Sequence, residues 1–143
     1  MKKLYKLTAL LAAFLLVTAL LLAGCSKDEA PQNTTPVTFD TAETDFGEGA
    51  TAFTFEVTDL AGTTKSFTVH TDETVVGKAL LSNGLIDGED GPYGLYVKSV
   101  MGIPLDYDTD GKYWAFYVDG EYGMTGVDQT ELVAGSVYAF RAE

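Results

Sequence analysis

A single cysteine, a single histidine and nine basic residues are all that this 143-residue chain has of the side chains most used for chemistry. With Cys25 alone, no intramolecular disulfide can form, so the fold must stand on its core. A hydrolytic triad needs a base beside its nucleophile. His70 shares a strand face with Ser66 and Thr68, opposite Phe67 and Val69, and reads as a solvent-exposed strand histidine. As a metal or corrinoid axial ligand it lacks a second ligand nearby. No glycine-rich phosphate loop and no CxxC pair occurs, so the chain is read as a non-enzyme. The shortage of Lys and Arg, 9 against 21 Asp and Glu, excludes nucleic acid as a partner, because a negative field repels phosphates.

What is present begins at the first residue. Lys2, Lys3 and Lys6 form a basic start, Leu7 to Ala23 is apolar but for Thr8 and Thr18, and Leu22-Ala23-Gly24-Cys25 ends the run with small residues before the cysteine. That order defines a secretory signal. The run is shorter than the roughly 20 apolar residues that span a bilayer, and its last four residues resemble a lipobox. Residues 1–24 are therefore expected to be a lipoprotein signal peptide, with Cys25 the lipidated first residue of an extracytoplasmic, membrane-anchored protein. Two or more acyl chains would make the anchor effectively permanent, at about 0.8 kcal/mol per buried methylene. With three of nine cations lost in the signal, the remainder carries six against twenty-one acids, a net −15. Such a surface keeps an exported protein soluble.

Residues 25–49 are poor in large apolar residues and rich in Thr, Asp, Glu, Pro and Gly, which predicts a flexible tether. Residues 50–143 suit one small domain. Phe53, Phe55 and Val57 alternate with polar residues, Asp59-Leu60-Ala61-Gly62 turns the chain, and Phe67 and Val69 alternate again, predicting a hairpin. A helix is expected next, capped by Thr71-Asp72-Glu73, buried through Val76, Ala79 and Leu80, and closed by Gly84. Asp87 to Pro92 reads as a loop, and Leu95 to Val100 as a strand. Tyr113 to Val118 is apolar on both faces and predicts a central strand, and Ser136 to Phe140 a last one. Hairpin, one helix and three further strands in a mixed sheet make an α+β fold of β-grasp type.

Asp106-Tyr107-Asp108-Thr109-Asp110-Gly111 matches the first half of a calcium loop, but Tyr117 stands at position 12, where a bidentate Glu is required, and a strand follows. Asp106, Asp108 and Asp110 are thus only a weak metal candidate, and an acidic turn is the expectation. Aromatics crowd the last third of the chain. Most must be core, but Tyr93, Tyr122 and Met124 fall on loops and are candidates for an exposed platform that grips a planar ligand or sugar.

Tyr93-Gly94-Leu95-Tyr96-Val97-Lys98-Ser99-Val100-Met101-Gly102-Ile103, Tyr113-Trp114-Ala115-Phe116-Tyr117, Gly126-Val127 and Val137 to Phe140 resemble segments of the transcobalamin and intrinsic factor C-terminal domain. The likeness spans about residues 52–142 and is nearest to bacterial lipoproteins carrying this domain alone. The resemblance implies a β-grasp that covers one side of a cobalamin, with Trp114, Tyr122, Met124, Thr125, Gly126 and Val127 at the ligand. The large helical domain that holds the other side in the carriers has no counterpart here. Two uses follow: a small-ligand module, for cobalamin or another ligand, that delivers to a membrane transporter, or a cell-surface domain for a protein or glycan partner.

Overall fold

The computed structural model describes residues 37–143; the expected signal segment and Cys25 lie outside the described residues. Among the described residues no helix is long and apolar enough to cross a membrane.

Alternation builds the hairpin as the sequence predicts. β1 (Asp45–Gly47) precedes β2 (Thr51–Thr58) and β3 (Thr64–Thr71), and β2 pairs antiparallel with β3 so that Phe53 faces Val69 and Phe55 faces Phe67. The turn is closed by the Asp59 carboxylate, which accepts the Thr63 N–H at 2.8 Å. β1 lies parallel to β3, and Phe39 and Phe46 are buried in the common core. Part of the expected tether, residues 39–47, therefore packs with the domain, which begins earlier than residue 50. Two aromatic side chains were enough to draw this otherwise polar stretch onto the sheet, since burying each is worth about 1.5–3 kcal/mol.

Helix α1 (Val76–Ser82) is too short to persist alone. Its N-terminus departs from expectation: Val75 is the N-cap, and no side chain caps it. The Val76 N–H instead donates to the Thr130 carbonyl at 3.0 Å, while Asp72 accepts the Ala50 N–H at 2.9 Å. A neighbouring segment thus supplies what a capping side chain would. At the other end Gly84 adopts φ +66 and its N–H donates to the Leu81 carbonyl, the left-handed stop expected there.

The chain then runs through β4 (Ile86–Gly91), β5 (Gly94–Val100), β6 (Ile103–Pro104), the one-turn helix α2 (Tyr107–Asp110), β7 (Trp114–Val118), β8 (Glu121–Tyr122), a 3-10 turn (Val127–Gln129) and β9 (Val137–Ala142). Six strands form one mixed sheet in the order β1-β3-β2-β9-β7-β8, with β2 and β9 parallel. β4, β5 and β6 form a separate antiparallel sheet. This corrects two expectations. Asp87 to Gly91 is a strand rather than a loop, held by the backbone ladder to β5 despite its acids, and residues 94–100 do not join the main sheet. The fold is α+β and strand-rich.

Phe53, Phe55, Val57, Phe67, Val69, Tyr138 and Phe140 fill the inner face of the main sheet, with Val76, Ala79 and Leu80 of α1 in the same core. β7 lies one strand from the edge and is not sealed on both faces as expected: Trp114 and Ala115 are buried, but Phe116 to Val118 are only half-buried. On the outer face Arg141 lies 4.1 Å from the Tyr117 ring, and the Tyr117 hydroxyl donates to Glu143 at 2.6 Å.

Candidate functional site

Beyond Val118 the chain reverses through Asp119 and Gly120, both at positive φ, and β8 pairs with β7 for only two residues. A loop follows, its first residue Gly123 still donating its N–H to the Phe116 carbonyl at 2.9 Å. Between that loop, β7 and the start of β5 lies an open cleft of about 450 Å³, a size usual for ligand sites. Trp114 and Phe116 of β7, Leu95 to Val97 of β5, and Tyr93, Tyr113 and Tyr122 are among the residues that line it. No charged residue lines it, in a chain of net charge −12.

All seven residues expected at a ligand line this cleft: Tyr93, Trp114, Tyr122, Met124, Thr125, Gly126 and Val127. They arrive from three separate segments. Tyr93 and Met124 are 92 % and 95 % exposed and Tyr122 56 %, so burial gives none of them a purpose. Trp114 is only 5 % exposed, its Nε1–H donating to the Ile103 carbonyl at 3.2 Å, and Val127 is 2 % exposed. These two are core residues that show an edge to the cleft. Leu95, Tyr96, Val97, Tyr113, Phe116, Gly123 and Gln129 also line it and were not singled out from sequence; the strand residues among them carry no mark of which sheet they border.

The loop wall is braced from within. Thr130 Oγ1 donates to the Gly126 carbonyl at 2.9 Å and lies 3.1 Å from Thr125 Oγ1. Three glycines admit the 3-10 turn: a Cβ on Gly77 would come within 2.8 Å of the Asp128 Cα, and one on Gly94 or Gly126 within 2.8 or 2.7 Å of the Asp128 carboxylate. Gly77 inside a short helix is thereby explained as a packing contact. Asp128 Oδ1 is buried without a hydrogen-bond partner among the described residues.

Tyr122 beside Tyr113, with burial adding to it, holds the Tyr113 phenol above its ordinary range, and the hydrogen bond to Glu143 does the same for Tyr117. Below the cleft Lys98 lies 3.2 Å from both Asp106 and Glu89. Hydrogen bonds to Asp106 and then Glu89 raise the Lys98 pKa, and Lys98 in turn lowers that of Asp106.

The acidic turn is α2. Asp106 caps it by accepting the Asp108 N–H at 3.0 Å, Asp110 accepts the Asp106 N–H at 2.9 Å, and Gly111 closes it at φ +63. The Asp106 and Asp110 carboxylates are thus engaged by local backbone, and among the described residues no group of three or more His, Cys, Asp or Glu is placed to hold a metal ion. His70 stands 41 % exposed at its side chain, Nε2 3.9 Å from Asp45.

The class this geometry defines is a small α+β domain that carries an uncharged, aromatic-lined cleft. Residues 72–141 match the family model described as a domain of unknown function, DUF4430. A solved structure, of a candidate metal-binding protein from Ruminococcus gnavus, shares 30 % identity, covers 66 % of this chain and 97 % of its own, and superposes with a TM-score of 0.62. The chain belongs to the same family as that protein. Haptocorrin in complex with Cbi is a more distant likeness, at 19 % identity and a TM-score of 0.49, over 68 % of this chain and 26 % of haptocorrin; this chain thus spans about a quarter of its length. No curated protein matches the chain.

Proposed function

We propose that this protein is an extracytoplasmic lipoprotein whose β-grasp domain holds one face of a flat, uncharged small ligand in the aromatic cleft, and that a corrinoid is the first ligand to try. The observation that carries the reading is the meeting of Tyr93, Trp114, Tyr122 and Met124 in one open cleft with no charge in its lining. Exposed aromatic and thioether surface is held in water at a cost in free energy, which contact with an apolar face relieves. The β-grasp reading rests on β2 and β3, the helix after them, and β9 returning parallel to β2. The sequence resemblance to the vitamin carriers supplies the corrinoid. One face alone buries too little of so large a ligand for tight binding, so a second protein, such as a membrane transporter, would cover the other side.

Trp114 fluorescence reports on the cleft directly. Titrating the purified protein with cobalamin should quench it saturably, and Tyr122→Ala with Met124→Ala should weaken the effect. Absence of saturable quenching by any of a panel of corrinoids would favour the other use, a surface domain for a protein or glycan partner. The anchor has its own test. Fatty-acid labelling of wild type should be lost in Cys25→Ala, and label retained by the variant would overturn the lipoprotein reading.

A further inference from the structure

The cleft is also a break in hydrogen-bonded sheet. Tyr113 exchanges both backbone bonds with Glu143, at 2.9 and 3.0 Å, and the Asp119 N–H donates to Val137, so the odd-numbered residues of this segment turn their peptide groups toward β9. The even-numbered ones face the other way, where the Phe116 carbonyl accepts the Gly123 N–H at 2.9 Å. β8 pairs only with Tyr117 and Val118. That leaves the Trp114 N–H and C=O and the Phe116 N–H on an edge with no partner strand among the described residues. Opposite, β6 pairs only with Ser99 and Val100, so β5 from Gly94 to Val97 has a partner on one side alone. Both one-sided stretches border the cleft. Unpaired edges are normally blunted by Lys, Pro or a bulge, and Trp114, Ala115 and Phe116 carry none of these.

We infer that the cleft accepts an extended peptide segment of a partner protein, added as a strand along the Trp114–Phe116 edge of β7. Main-chain bonds would supply affinity and alternate side chains would meet Tyr96, Tyr113 and Tyr122. The uncharged lining selects an uncharged centre for the segment, and the acid excess of the chain as a whole, 21 Asp and Glu against 9 Lys and Arg, favours basic flanks. The inference goes beyond the corrinoid reading and does not depend on it: both need the cleft open, but only this one needs a peptide backbone.

The test pans random dodecapeptides displayed on phage against the full chain, then synthesises the enriched sequence plain and with N-methyl groups on alternate residues in each register. Enrichment of uncharged centres with basic flanks is expected, with one N-methyl register losing roughly tenfold or more in affinity as two or three edge bonds are removed. Hydrogen exchange at the Trp114 amide should slow on binding, and Tyr93→Ala with Tyr122→Ala should weaken the peptide without lowering the melting temperature. No enrichment, equal affinity of both N-methyl series and the parent, or unchanged exchange at Trp114 would each overturn the inference. Corrinoid quenching is scored separately, so either result can fail alone.

Discussion

The inner face of the main sheet and the cleft beside it use the same residue types to opposite ends. Phe55 and Phe140 meet edge to face at 6.3 Å and Phe53 and Tyr138 at 5.4 Å, all sealed from water. At the cleft Tyr93 and Met124 stand open on a turn and a loop, and Tyr122, expected on a loop, stands open at the end of the two-residue strand β8. Where an aromatic is buried, its removal leaves a cavity; where it is exposed, its removal costs the fold almost nothing and can matter only to what binds. The two regions are thus separable in their cost to the fold, and Trp114 and Phe116 of β7 border both.

The largest effect should come from the sheet interior. Phe55→Ala and Trp114→Ala should each cost about 3–5 kcal/mol in chemical denaturation, as buried aromatic truncations do, whereas Tyr122→Ala with Met124→Ala should stay within about 0.5 kcal/mol. Should the loop pair melt as low as Trp114→Ala, the contrast between the two regions collapses. A middle effect is expected at the glycines. Gly94→Ala places a Cβ at φ +109 within 2.8 Å of the Asp128 carboxylate, whereas Gly120→Ala at φ +87 meets open space. Both pay for the left-handed backbone, about 1–2 kcal/mol; Gly94→Ala should lose more, and Asp128→Ala should recover that excess in a double-mutant cycle.

Smaller still is the pH effect at the ion pair beneath the cleft. The Asp106 pKa is lowered in the folded state, so its contribution is present above the unfolded carboxylate range and lost as pH falls through the lowered value. The Lys98 pKa is raised, so its contribution is present below the unfolded lysine range and lost as pH rises through the raised one. Melting curves of wild type and Asp106→Asn should differ at neutral pH and converge in acid, while the cleft variants keep the wild-type profile. Smallest of all, a chelator should leave the melting temperature unmoved, because the Asp106 and Asp110 carboxylates already serve backbone N–H groups. A rise of several degrees in millimolar calcium would show otherwise.

The hairpin was legible because Phe53, Phe55, Val57, Phe67 and Val69 keep a strict period of two around a turn whose residues close it. The exposed members of the cleft were legible as large side chains among loop glycines. β1 was not, since two aromatics in a polar stretch set no period and their partner strand is parallel and distant. β4 was not, because Asp87, Glu89 and Asp90 hide a strand that one-sided pairing tolerates. Nor were Gly77, Gly94 and Gly126 legible as a set, for what joins them is Asp128, and that contact exists only after α1, β5 and the 3-10 turn have come together.

The parallel pairing of β2 with β9 sets an order of events. Thr54 aligns with Val137 and Thr58 with Arg141, so the strand formed by residues 137–142 is enclosed between β2 and β7. The early hairpin can form as soon as residues 51–71 are available, but its exposed flank has no neighbour until nearly all the remaining chain has emerged. Contacts so far apart in sequence are slow to close, and until they do the β2 flank can join a second nascent copy of itself. A chain threaded vectorially from its N-terminus would spend that interval needing a chaperone, and trimming residues 137–143 should yield aggregation rather than a smaller domain.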